Sequence, residues 1–147
     1  MSQTRTADVT WQGDLLSGSG TIDYVGSGAF SRMPVTWHAR TESSDGQTSP
    51  EELLAAAHAS CFSMALSSRL AKAGHPATKL SVRATVTFDK SEAGWFVASS
   101  VLKVEGQVPG MDAEQFQALA ADAKDNCPIS QALKGNVALS VEASLAA

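Results

Sequence analysis

The sequence is poor in cysteine and lacks the short motifs in which cysteine commonly binds metals or exchanges disulfides. Cys61 and Cys127 are the only cysteines among 147 residues, and they form no Cys-x-x-Cys motif. A thioredoxin-type disulfide exchanger is therefore disfavoured. The three histidines do not have the paired spacing of zinc ligands, and no glycine-rich phosphate loop is present. We expect neither a metal nor a cofactor.

Clusters of basic residues and long apolar segments are also missing. The formal net charge is -4 and the basic residues are scattered, which argues against a nucleic-acid partner. No apolar stretch approaches the ~20 residues that span a bilayer. Polar and charged residues occur throughout the first ten residues, so this segment lacks the apolar core of a signal peptide. We therefore expect no membrane partner and a cytoplasmic protein, in which a cysteine pair is more often catalytic than structural.

The composition that remains is that of a globular protein. Hydrophobic residues make up 44% of the chain and charged residues 18%, which excludes a disordered chain. A chain of 147 residues is long enough to bury a substantial core. Since no repeat, low-complexity segment or linker interrupts it, we predict a single domain over residues 1–147.

The first third of the chain has the pattern of short strands. Over residues 8–41, apolar residues alternate with polar ones and glycines interrupt the pattern. This alternation continues through Trp37 and Ala39, so Arg40 is expected at the end of a strand. Residues 42–49 are polar and predict a loop.

A long central helix follows. Ser49 as N-cap, Pro50 in the first turn and two acidic residues after it are typical of a helix start, and Gly74 of a helix end. We predict a helix over residues 50–73 that packs at the centre of a domain or at a subunit interface. Its predicted apolar face consists of Leu53, Leu54, Ala57, Cys61, Met64, Ala65 and Leu66.

The remaining elements alternate between strands and helices. Apolar residues at every second position predict strands over residues 80–88, 95–104 and 136–145. Helical spacing predicts an amphipathic helix over residues 112–125, with Phe116, Leu119, Ala120 and Ala123 on its buried side. Pro128 predicts a short helix that Cys127 caps. The fold class is therefore α+β.

The two cysteines are the main candidates for chemistry. Cys127 at a helix N-cap faces unpaired N–H groups and the positive end of the helix dipole, which favour a thiolate. Cys61 inside the long helix is either an inert core thiol or a reactive one, and the second cysteine favours the reactive interpretation. His58 lies one turn before Cys61, either as an activating base or, more simply, as a buried histidine with a backbone partner. Without further information, Glu51 is expected to interact favourably with the helix dipole as a first-turn acid, and Arg40 is expected to lie in solvent.

Two segments point to a family. Residues 50–66 (PEELLAAAHASCFSMAL) and 127–133 (CPISQAL) closely resemble the OsmC/Ohr family of thiol-dependent peroxidases, nearest the OsmC (osmotically inducible protein C) branch. Residues 11–14 and 108–110 resemble the same branch. The resemblance implies an α+β fold with N-terminal β-strands, a long central helix, further antiparallel strands and a second helix, assembled as an intertwined homodimer.

The resemblance also implies an activity and roles for five residues. Cys61 matches the peroxidatic cysteine, Cys127 the resolving cysteine, and Glu51 the glutamate that pairs with an arginine, here Arg40. His58 is an accessory residue. The implied reaction is the reduction of organic hydroperoxides, and hydrogen peroxide is a possible further substrate. An external dithiol, such as a lipoylated protein, is the implied reductant. A redox-sensing or hydrophobic-ligand-binding dimer without significant turnover is the alternative.

Overall fold

The computed structural model describes all 147 residues and divides them into two compact units, Met1–Leu53 and Leu54–Ala147. It contains strands and helices mixed along the chain, as predicted for an α+β protein. The single domain over residues 1–147 stays a prediction. The elements are β1 (Ala7–Gln12), β2 (Ser19–Val25), β3 (Ser31–Val35), α1 (Trp37–Thr41), α2 (Pro50–Lys72), β4 (Lys79–Ser91), β5 (Gly94–Gln107), α3 (Ala113–Asn126), α4 (Pro128–Leu133) and β6 (Ala138–Leu145).

The first unit contains an antiparallel sheet in the order β1-β2-β3, with Ile22 of the central strand buried. The sequence prediction was wrong at residues 37–41, which form the helix α1 instead of continuing a strand. The physical reason is Thr36, whose Oγ1 accepts a hydrogen bond from the Ala39 N–H at 3.1 Å. This N-cap satisfies a donor of the first turn and outweighs the alternating pattern. Arg40 is therefore carried by a helix.

The predicted boundaries of the long helix are confirmed. Ser49 Oγ accepts the Glu52 N–H at 3.1 Å, so the helix α2 begins at Pro50. It ends at Lys72, and Gly74 follows with φ of 84°, a left-handed conformation that glycine adopts without strain. Strong local signals at both ends explain the agreement.

The predicted buried face of α2 was partly wrong. Residues spaced four apart point inwards and are fully buried: His58, Phe62, Leu66 and Leu70. Met64, predicted to be buried, is 73% exposed. Alanine and serine occur all round this helix, so the sequence pattern does not define one apolar side sharply.

The second unit contains a three-stranded sheet in the order β4-β5-β6. β4 and β5 form an antiparallel hairpin in which Ser91 pairs with Gly94, a tighter connection than predicted. β6 runs parallel to β5, and the sequence analysis did not predict the orientation of this strand. A parallel pair needs a long crossover connection, which the helices α3 and α4 supply. No helix combines the length and the apolar character needed to cross a membrane.

One core joins α2, α3 and the sheet in this unit. The prediction for α3 is confirmed, with Asp112 as its N-cap and Phe116, Ala120 and Ala123 buried. The buried cluster consists of Phe62, Leu66, Leu70, Leu102, Val104, Val108, Met111, Phe116, Ala120, Ala123 and Cys127. Cys127 is therefore a core residue.

Candidate active site

The predicted site residues divide between the two units. Arg40 and Glu51 lie in the first unit, and His58, Cys61 and Cys127 lie in the second. No group of three or more histidine, cysteine or acidic side chains could hold a metal ion.

The structure brings the two cysteines together as free thiols. Cys127 is the single residue between α3 and α4: its N–H donates to the Ala123 carbonyl at 2.9 Å, and its sulfur caps α4 as predicted. Cys61 approaches this cap from α2 and lies close enough to Cys127 for each thiol to influence the pKa of the other. The Ile129 N–H acts to lower the pKa of both thiols. Both sulfurs thus face the first turn of α4.

The pKa values of the two thiols shift in opposite directions. Burial raises the pKa of Cys61, the Ile129 N–H offsets part of this, and the neighbouring Cys127 raises it further. Burial also acts to raise the pKa of Cys127, but donors outweigh it and the pKa is lowered. The main donors are the Ser130 hydroxyl and N–H, whose oxygen and nitrogen lie 3.3 Å and 3.4 Å from Cys127 Sγ.

The lowered pKa agrees with the thiolate predicted for Cys127, whereas Cys61 is the less acidic of the two thiols. In a coupled pair, the sulfur whose anion is better solvated ionises first. Cys127 has the capping donors, so it ionises before Cys61.

His58 is fully buried, as one of the two sequence interpretations held, but its partners are not backbone atoms. Its Nδ1 lies 2.6 Å from Ser100 Oγ, and its Nε2 lies 2.8 Å from Ser130 Oγ. Burial lowers the pKa of His58, so the imidazole is neutral at neutral pH. Because Ser130 also contacts Cys127, the structure contains a continuous buried chain Ser100–His58–Ser130–Cys127.

Ser100 and Ser130 were missed in the sequence. Ser100 shares a face of β5 with the buried Leu102 and Val104, and a serine at such a position needs a buried partner. Ser130 is the third residue of α4, where its N–H reaches the cap. The positions of both serines were visible in the sequence, but their hydrogen-bond partner His58 is distant in sequence and could not be identified from it.

Arg40 and Glu51 form the pair that the resemblance implies. Arg40 Nε and Nη2 donate to the two carboxylate oxygens of Glu51, each at 2.8 Å. The guanidinium carbon lies 5.8 Å from the centre of the Trp37 ring. Two parallel charge-assisted hydrogen bonds and an aromatic face hold the guanidinium in one orientation. Arg40 is therefore not the solvated residue of the default interpretation.

An apolar cavity of about 400 Å³ opens beside this guanidinium in the first unit. Its lining consists of Trp11, Leu15, Val35, Thr36, Trp37, Arg40 and Pro50. Aromatic and aliphatic groups dominate, and Arg40 supplies the one charge. Such a cavity suits a small molecule with an apolar body and a polar end.

Sequence comparisons identify the relatives of this chain. The family model described as OsmC-like protein matches residues 42–142. The chain is 43% identical over 129 residues to Peroxiredoxin OsmC of Escherichia coli (strain K12), covering 88% of this chain and 89% of that protein. It is 33% identical over 111 residues to the organic hydroperoxide resistance protein OhrA of Bacillus subtilis (strain 168), covering 75% of each.

Solved structures show the same fold. The organic hydroperoxide resistance protein OhrB of Bacillus subtilis superposes with a TM-score of 0.72 at 27% identity, covering 94% of this chain and 97% of that one. An organic hydroperoxide resistance protein from Elizabethkingia anophelis gives 0.72 at 25% identity, covering 99% of each chain. The matched family model and the identities of the relatives together assign this chain to the OsmC-like protein family.

Proposed function

We propose that this protein is a thiol-dependent peroxidase that reduces organic hydroperoxides. Its similarity to Peroxiredoxin OsmC and to organic hydroperoxide resistance proteins supports this function. The observation that carries the proposal is the placement of two free cysteines, Cys61 and Cys127, close together at the first turn of α4. Two free thiols in contact, one of them with a lowered pKa, are suited to close a disulfide.

In the first step, Cys61 loses its proton to solvent and attacks the peroxide as a thiolate. The Cys61 sulfur forms a bond to one peroxide oxygen, the O–O bond breaks, and the alkoxide takes up a proton and leaves as an alcohol. Cys61 is thereby oxidised to a sulfenic acid. Its half-buried position keeps the sulfur within reach of a small substrate.

In the second step, Cys127 resolves the sulfenic acid. The Cys127 thiolate attacks the Cys61 sulfur, the S–S bond forms, and the S–O bond breaks. Hydroxide leaves and is protonated by solvent to give water. An external dithiol then reduces the disulfide by thiol–disulfide exchange and regenerates both thiols. We propose a lipoylated protein or a small dithiol as this partner.

We assign the Arg40–Glu51 pair to the first step. This assignment rests on the sequence resemblance: Arg40 supplies the positive charge that favours the Cys61 thiolate, and Glu51 fixes the guanidinium. Because burial raises the pKa of Cys61, the peroxidatic role requires such a cation. The apolar cavity beside Arg40 supports organic hydroperoxides as substrates in preference to hydrogen peroxide.

We also propose that the protein acts as an intertwined homodimer. Trp11 is 41% exposed and Leu16 80% exposed in the single chain, and large apolar groups in water commonly mark an interface. The cytoplasmic location and the single-domain organisation are carried forward as proposals from the sequence.

The decisive experiment measures peroxide consumption with an organic hydroperoxide and either dithiothreitol or dihydrolipoamide. The wild-type protein should turn over, Cys61→Ser should lose all activity, and Cys127→Ser should accumulate a trappable sulfenic acid. Turnover that persists in Cys61→Ser would refute the assignment. Stoichiometric binding of the peroxide without turnover in the wild type would favour the hydrophobic-ligand-binding dimer, and slow turnover with oxidation-dependent binding of another protein would favour the sensor.

A further inference from the structure

The two proposed steps do not involve the buried polar cluster of His58, Ser100 and Ser130. His58, Ser100 and Ser130 are all fully buried or nearly so, and they come from three different elements. Burying an imidazole and two hydroxyl groups is costly unless they satisfy one another. Here every polar side-chain atom of the cluster has a partner. The chain ends at Cys127, the more acidic of the two thiols.

When Cys127 is a thiolate, every hydrogen bond in this chain has one direction. A thiolate only accepts, so the Ser130 hydroxyl donates to Cys127 Sγ at 3.3 Å. The Ser130 oxygen then accepts from His58 Nε2–H at 2.8 Å. A neutral imidazole has one donor and one acceptor, so Nδ1 accepts from the Ser100 hydroxyl at 2.6 Å. One tautomer of His58 therefore satisfies the thiolate form completely.

If Cys127 is protonated, the same chain reverses. The thiol then donates to Ser130, the Ser130 hydroxyl donates to Nε2, and Nδ1–H donates to Ser100. His58 has to change tautomer for this reversal, and Ser130 has to rotate its hydroxyl. The orientation of the Ser130 hydroxyl is thus coupled to the state of Cys127 through His58.

We propose that His58, acting through Ser130, is the positioning residue of Cys127: it directs the Ser130 hydroxyl to the sulfur and so sets the rate of disulfide closure. This inference rests on the proposed peroxidase function. The step that it affects is the attack of Cys127 on the Cys61 sulfenic acid. His58 touches neither sulfur and is not itself a catalytic residue.

The inference distinguishes the two steps of the reaction. Loss of the His58–Ser130 contact should raise the pKa of Cys127 and slow its attack. Attack of Cys61 on the peroxide should not become slower, because the hydrogen bonds that are lost join Ser130 to His58 and Cys127. A general folding defect would slow both steps together.

The test separates these steps with one equivalent of an organic hydroperoxide. Rapid trapping of the sulfenic acid follows the first step, and the loss of the second free thiol follows closure. We expect closure to slow by about threefold to tenfold in His58→Leu and Ser130→Ala, since a hydrogen bond to a charged group is lost but the more basic thiolate is more nucleophilic. His58→Gln, which retains a side-chain amide donor, should recover part of the rate.

A second readout keeps the proposal falsifiable if His58→Leu folds poorly. The thiolate absorbance at 240 nm of Cys127, titrated in a Cys61→Ser background, should shift to higher pH in Ser130→Ala. Ser63→Ala is the matched control, because Ser63 also lies on α2 but bonds only to the Ala59 carbonyl. It should change neither closure nor titration.

The possible outcomes separate this inference from the function on which it rests. Closure at the wild-type rate in both Ser130→Ala and His58→Leu, with an unchanged Cys127 titration, would overturn the positioning role. Equal slowing of both steps would also overturn it and leave His58 a packing residue. Absence of a sulfenic acid in the wild-type protein would instead refute the peroxidase function itself.

Discussion

At the scale of single residues, the pKa values of the two thiols shift in opposite directions, and each shift follows from the position of the thiol. Cys127 caps α4 and receives the donors of Ser130, whereas Cys61 is half-buried beside Cys127. The residue proposed to attack the peroxide is therefore the less acidic of the pair. Its reactivity depends on how readily Cys61 ionises.

This coupling predicts a pH dependence. Burial, and after it Cys127, raises the pKa of Cys61, so peroxide attack should accelerate as pH rises towards that pKa. In Cys127→Ser the interactions by which Cys127 raises the pKa of Cys61 are lost, and the attack profile should move to lower pH. Stopped-flow measurement of sulfenic acid formation across pH 5 to 9 checks both statements. A profile that moves to higher pH in Cys127→Ser would contradict this influence of Cys127 on Cys61.

Arg40 provides a second prediction at this scale. Arg40→Ala removes the proposed cation, so the pKa of Cys61 should rise and peroxide attack should slow by about tenfold or more. Arg40→Lys should restore little, because an ammonium cannot make the bidentate pair with Glu51. Titration of the Cys61 thiolate at 240 nm in a Cys127→Ser background, alongside the rates, tests this.

Unchanged titration and rates in Arg40→Ala would contradict the assignment and direct the search to Arg32 or Arg69. Glu51→Ala should act in the same direction as Arg40→Ala. Because Glu51 also lies in the first turn of α2, its thermal unfolding has to be compared with that of the wild type.

At the scale of elements, the short helix α1 controls the position of Arg40. Thr36 caps this helix and also donates a hydrogen bond from Oγ1 to Gln47 Oε1 at 3.0 Å. Thr36→Ala should destabilise the protein by about 1 kcal/mol through loss of the cap. It should also lower peroxidase activity, because a frayed α1 no longer fixes the guanidinium.

Thr36→Ser, which keeps the capping oxygen, is the control for this experiment. It should retain most of the stability and activity that Thr36→Ala loses, as measured by thermal unfolding and by turnover with an organic hydroperoxide. If Thr36→Ala unfolds earlier but turns over at the wild-type rate, α1 stabilises the fold without serving the reaction.

The same elements show how far the sequence predicts the structure. Ser49 and Gly74 determine the ends of α2 by local chemistry, so those ends were predictable. The alternating apolar pattern predicted a strand where α1 forms, because the capping preference of Thr36 was not considered. The inward face of α2 is set by packing of large side chains such as Phe62, which an alanine-rich sequence does not reveal.

The candidate site shows a similar division. Cys127 was predictable as a helix cap because Pro128 follows it. Cys61 was predictable as a candidate nucleophile because residues 50–66 resemble the family's sequence. The bonds of His58 to Ser100 and Ser130 join residues distant in sequence. The direction of the Cys61 pKa shift also escaped prediction, since it results from burial and from a neighbour on another helix.

At the scale of the whole molecule, the single chain leaves apolar surface in water that its own fold does not cover. All six residues of β1 are exposed, including Val9 at 59% and Trp11 at 41%. On α2, Met64 is also exposed, so apolar groups from both units lie in solvent. A strand with both faces and one edge unprotected is a site for pairing with another chain. These features support the proposed homodimer.

We therefore predict that light scattering gives a mass twice the 15.3 kDa of one chain. Trp11 should be shielded in the dimer, so its fluorescence should be quenched less by acrylamide at concentrations where the dimer persists. Peroxidase activity per chain should stay constant on dilution until the mass falls, and then decrease with it, because a monomer exposes β1 and loses the partner that orders it. A stable species of 15.3 kDa with full activity would contradict this prediction, and it would show that Cys61, Cys127 and the Arg40–Glu51 pair suffice within a single chain.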